Sequence, residues 1–140
     1  MDTSSRQQWL RTAILIGAVY FVFGIIFSSL AGWSASDQMR ATWRLLAFFT
    51  SAVAFVIHIG YEQFRLGNSP LITASHASMA VAVGAFALAA AANVHGVWVA
   101  SSHQRALATA LVAWPALTAI PAFAVALVAA ACLALIRRRT

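Results

Sequence analysis

The stretch "VIHIGYEQFR", residues 56–65, places His58 and Glu62 four positions apart at the end of a long apolar run. On a helix that spacing stacks the two side chains one turn apart. A second histidine, His76, follows after the short turn "LGNSP". At 1.5 Å per residue, His58 lies about 12 Å from the helix stop near Leu66, and His76 about 9 Å past Pro70. The two imidazoles therefore face the same level from consecutive helices. Tyr20, nine residues beyond Arg11, reaches a similar depth of about 13 Å from the first helix.

Four chemistries suit this group. Two imidazoles on facing helices could ligate the iron of a b-type haem from opposite faces. They could relay protons, since imidazole titrates near neutral pH. With Glu62 and Tyr20 they could hold a quinone or a metal. The fourth reading is a satisfied interhelical hydrogen-bond cluster that fixes packing, because an imidazole in hydrocarbon is costly without a partner. Under that reading, His58→Leu alone destabilises, whereas a His58→Leu/His76→Leu double change is expected to be nearly neutral. Arg44, Ser51, His58 and Arg65 recur every seven residues with Asp37 and drift by only about 20° per heptad, so they form one stripe. Arg44, Ser51, His58 and Glu62 could line an oligomeric pathway for protons or a small solute.

The elements that position these groups follow from composition. Of 140 residues, 62% are hydrophobic and 9% charged, more apolar surface than a soluble domain of this size could hide. Four apolar spans are expected at about residues 12–31, 44–61, 71–94 and 107–136. The backbone must be helical, because an open sheet would leave polar groups bare in lipid. The expected fold is all-α: an integral membrane four-helix bundle, up-down-up-down, forming a single transmembrane domain. The last span carries Pro115 and Pro121, which predicts a kink or tilt. The first span is longer than the apolar core of a signal peptide and is expected to be retained.

Turn chemistry marks the joints. Ser34 or Ser36 can cap a helix that begins near Asp37. Gly67 and Asn68 suit a helix stop, Ser69 a cap and Pro70 a first helical position. "HGVWVASSHQR" reads as the longest outer loop, a solvated segment with Asn93, His95, Ser101, Ser102 and His103 nearby. Short connections predict that sequential helices are neighbours. Small residues at Ala13, Gly17, Gly24 and Ala31, and at Ala77, Ala80, Gly84, Ala87 and Ala91, predict close backbone packing.

All nine basic residues are arginine. Arg6, Arg11, Arg65 and Arg137–Arg139 fall on one side, and Arg40, Arg44 and Arg105 on the other. Six against three places both termini in the cytoplasm. These arginines flank apolar runs, so the net charge of +6 points to membrane orientation and not to nucleic acid. The lone Cys132 can supply neither an internal disulfide nor a cysteine cluster. The sequence has no phosphate-binding glycine loop, no "HExxH" and no nucleophile elbow. The leading expectation is a non-enzymatic subunit or interaction protein of a membrane complex, packing against itself or larger partners in a cell inner membrane. The alanine-rich, lysine-free composition suggests a high-GC bacterial source.

Overall fold

The computed structural model describes residues 3–99 and 104–137. It is all-helical: α1 (Thr3–Trp33), α2 (Asp37–Phe64), α3 (Pro70–Trp98) and α4 (Gln104–Arg137). Among the described residues, four helices are long and apolar enough to cross a membrane. They contain the four expected spans, and each extends a few residues beyond them. Ser101, Ser102, His103, Arg138 and Arg139 lie outside the described residues.

The joints obey local chemistry. Ser36 adopts an extended conformation ahead of α2, and its hydroxyl accepts from the Met39 amide at 3.2 Å. Ser34 instead turns its hydroxyl back to the Leu30 carbonyl at 2.7 Å. At the end of α2 the chain reverses through Gly67, whose φ of 65° is the left-handed region that glycine enters without a Cβ penalty. The amides of Leu66 and Asn68 then donate to the carbonyls of Tyr61 and Glu62 at 3.3 and 3.2 Å, which satisfies acceptors left over at the helix end. Ser69 caps α3 and Pro70 opens it, as the turn predicts.

Two expectations need correction. The loop between α3 and α4 is shorter than expected, because α3 continues to Trp98 and carries His95 within the helix. The Asn93 amide donates to its own helix at Ala89 (2.9 Å) and across to the Leu107 carbonyl of α4 (2.6 Å). Asn93 is thus an interhelical tie, since a polar amide on an apolar helix face seeks the nearest acceptor. Neither are all sequential helices close neighbours. α3 is the hub and packs most extensively against α4 and α1. α2 leans on α1 and meets α3 and α4 only lightly. A short turn fixes where α2 and α3 begin to separate, but packing decides how far they diverge.

Small residues explain the hub. Ala74, Ala77 and Ala80 of α3 are fully buried, as are Ala126 and Ala130 of α4. Ile59 joins Ala74, Ala77, Ala126 and Ala130 in one cluster, backed by Phe123 and Leu127. Between α1 and α3 the contact is tighter. A Cβ on Gly17 would sit 2.6 Å from Val83 Cγ1 and 3.1 Å from the Ala80 carbonyl. A Cβ on Gly84 would sit 2.8 Å from Tyr20 Cβ and 3.0 Å from the Gly17 carbonyl. Glycine is required at both positions for the backbones to approach. Large apolar side chains point the other way: Val56 is 67% exposed and Val112 77%. A surface of this kind, over a core of alanine and glycine, matches the packing used where lipid is the solvent.

Candidate functional site

Glu62 is the centre of the most deeply buried polar group. Its carboxylate is 1% exposed and is approached from three directions. From α2 itself, His58 Nε2 lies 3.6 Å from Oε1, in ion-pair range and beyond a hydrogen bond. From α3, His76 Nδ1 lies 3.1 Å from Oε2, where an imidazole N–H donates to the carboxylate. From the turn, the Asn68 side-chain amide donates to the same Oε2. The spacing that stacks His58 on Glu62 is helical, and the left-handed Gly67 turn swings α3 back so that His76 arrives opposite. A buried carboxylate is costly unless polar groups face it, and the two rings and Asn68 are the groups that do.

A second layer supports the first. Gln63, next to Glu62 and 3% exposed, donates to the Thr73 hydroxyl at 2.8 Å and to the Asn68 carbonyl at 3.2 Å. Asn68 is thereby held from both sides. Arg137, near the end of α4, donates to the Gln63 carbonyl at 3.1 Å. That carbonyl belongs to the last turn of α2, where a cation is favoured by the helix dipole. Trp9 of α1 lies against the His76 ring with centroids 5.3 Å apart. All four helices therefore contribute to this end of the molecule.

The structure brings together His58, Glu62 and His76 as their spacing predicts, but not Tyr20. The Tyr20 hydroxyl is buried and has no hydrogen-bond partner among the described residues. Its residue lines a separate cavity of about 620 Å³ with Ser51, Phe55, Gly84, Trp114 and Pro121. Equal depth from a helix end does not make equal height when helices start at different levels. Arg44 is further away still. It lines a smaller cavity of about 360 Å³ with Arg40, Phe27 and Gly32, toward the other end of α2. The polar stripe of α2 thus runs from an exposed Arg44, past half-buried Ser51 on the larger cavity, to buried His58 and Glu62.

Asn68, Gln63, Thr73, Trp9 and Arg137 are the contributors that sequence reasoning missed. Asn68 reads as a turn residue, and Arg137 as one of three terminal charges. Gln63 and Thr73 carry a usable signal: each is an uncharged polar residue within a turn of Glu62 or Pro70. The haem geometry does not follow from this arrangement. Both imidazoles converge on one carboxylate, so an iron between them would have to displace Glu62, and neither ring lines the larger cavity. Among the described residues no group of three or more His, Cys, Asp and Glu side chains is arranged to hold a metal ion. No family model matches the chain, and neither a search of curated proteins nor one of solved structures finds a match.

Proposed function

We propose that the chain is a non-enzymatic, multi-pass membrane protein, a subunit or interaction module whose bundle is fastened by the Glu62 network. One observation carries this reading: the Glu62 carboxylate is enclosed by His58, His76 and Asn68 at a level where four helices converge. A group so enclosed has no open face for a substrate, and it ties α2 to α3 where those helices otherwise pack lightly. The arrangement of the helices is up-down-up-down in a cell inner membrane, with both termini cytoplasmic. In support, Gly17 meets Val83 and Gly24 meets Leu88, so α1 and α3 run the same way, while Gln63 meets Thr73 and Asn93 meets Leu107 as in hairpins. The six-to-three arginine bias is the support for this orientation.

The test is the native mass of the protein extracted from membranes in a mild detergent, alongside its purified form. A subunit or self-associating module migrates well above the 14.9 kDa of one chain after the detergent is accounted for. A strictly monomeric species in both preparations contradicts the subunit reading. A second reading, a proton pathway, is favoured by the His58 ring, whose two nitrogens are buried without hydrogen-bond partners among the described residues, two turns beyond Ser51. Under it, Glu62→Gln protein reconstituted in liposomes folds normally but loses proton flux. Equal flux in wild type and Glu62→Gln removes that reading.

A further inference from the structure

The larger cavity lies at mid-height in the molecule, and none of the groups the proposed fastener uses lines it. All four helices wall it. On α2 its lining runs from Ala47 to Phe55, about 12 Å of helix, and Ser51 stands midway along α2. Its volume of about 620 Å³ falls within the range of small-molecule sites, about 300–1,000 Å³. The walls are overwhelmingly apolar and include the aromatic rings of Tyr20, Phe48, Phe55 and Trp114.

Its few polar groups are unevenly satisfied. The Thr118 hydroxyl donates to the Trp114 and Pro115 carbonyls of its own helix, at 2.9 and 3.1 Å. Tyr20 is different. The residue is 9% exposed, and its hydroxyl is buried with no partner among the described residues. Ser51, on the facing helix, likewise makes no hydrogen bond among them. A buried donor left unpaired is destabilising, and the Tyr20 hydroxyl is one. An apolar chamber with two unspent hydroxyl donors is complementary to an apolar molecule that carries acceptors and no charge. The aromatic walls favour a flat body. α2 packs only lightly on α4, which leaves lipid-side access for a tail.

We propose that this chamber binds a neutral, membrane-dissolved quinone, with its ring between Trp114 and Phe55 and a carbonyl accepting from Tyr20, Ser51 or both. The site is distinct from the His58–His76 pair and does not depend on the fastener.

Full-length protein in detergent micelles is titrated with decylubiquinone and followed by native mass spectrometry and by melting temperature. Wild type takes up one quinone per chain, with a saturable rise in Tm. Tyr20→Phe/Ser51→Ala, which removes only two oxygens, raises the half-saturation concentration about tenfold or more. Ala52→Phe, which puts a ring into the chamber, abolishes uptake. Decylbenzene, which has the tail and no carbonyl, binds at least tenfold more weakly than the quinone. The proposal is overturned by no adduct in wild type, or by equal uptake in wild type and Tyr20→Phe/Ser51→Ala. Equal binding of decylbenzene overturns it too, by reducing the chamber to an apolar filler. A co-purifying phospholipid that decylubiquinone does not displace assigns the chamber to an acyl chain and also overturns it.

Discussion

At the scale of single residues, Glu62 changes what its neighbours are worth. Considered as a histidine pair, His58 and His76 could be deleted together at little cost. The carboxylate between them reverses that expectation. His58→Leu leaves His76 and Asn68 on Glu62 and costs about 1–2 kcal/mol. His58→Leu/His76→Leu leaves a buried carboxylate with Asn68 alone and costs more than either single change, about 3–5 kcal/mol if the charge stays uncompensated. Glu62→Gln keeps a hydrogen-bonding group without the charge, so it restores much of the double variant's stability when added to it. Thermal melts of these four variants in detergent check the order. A double variant as stable as wild type would show that the imidazoles do not compensate Glu62. The pair and its carboxylate were legible in the sequence because a four-residue spacing and a short turn define their positions. Asn68 was not, since its role depends on the path of the Gly67 turn.

At the scale of helices, the glycines divide into those that meet backbone and those that do not. Gly17 and Gly84 face each other's chain, and a methyl at either meets a carbonyl at 3.0–3.1 Å that cannot rotate away. Gly24 faces only the tip of Leu88, which can move. Gly60 faces nothing within 4 Å among the described residues. Gly17→Leu and Gly84→Leu are therefore expected to destroy cooperative melting, and Gly24→Leu to lower Tm less. Gly60→Ala should leave Tm unchanged or raise it, because glycine is the weaker helix former by about 1 kcal/mol. Leu10→Ala, at a site 45% exposed, has little effect. Circular-dichroism melts of the set test this, and a Gly84→Leu variant that melts like wild type would refute the α1–α3 contact. The small-residue stripes showed in the sequence because close approach demands small side chains. Which helices they join did not, because α1 could equally have packed its stripe on α2. The continuation of α3 through "HGVW" was hidden by polar letters that a helix tolerates at its end.

At the scale of the whole molecule, the four long apolar helices follow from the pattern of apolar runs, since a helix satisfies its own backbone. The arrangement around the α3 hub required knowing which faces meet. Reporter fusions at Met1 and Thr140 are expected to score both ends as cytoplasmic. An external C-terminus would contradict either the orientation or the four crossings. The central claim is that Glu62 and His76 fasten helices that otherwise touch lightly. A double-mutant cycle measures it most directly: wild type, Glu62→Ala, His76→Ala and the double variant, melted in lipid nanodiscs. The two losses are expected to be non-additive, with a coupling of about 1–3 kcal/mol. Strictly additive losses, or single variants as stable as wild type, would contradict it.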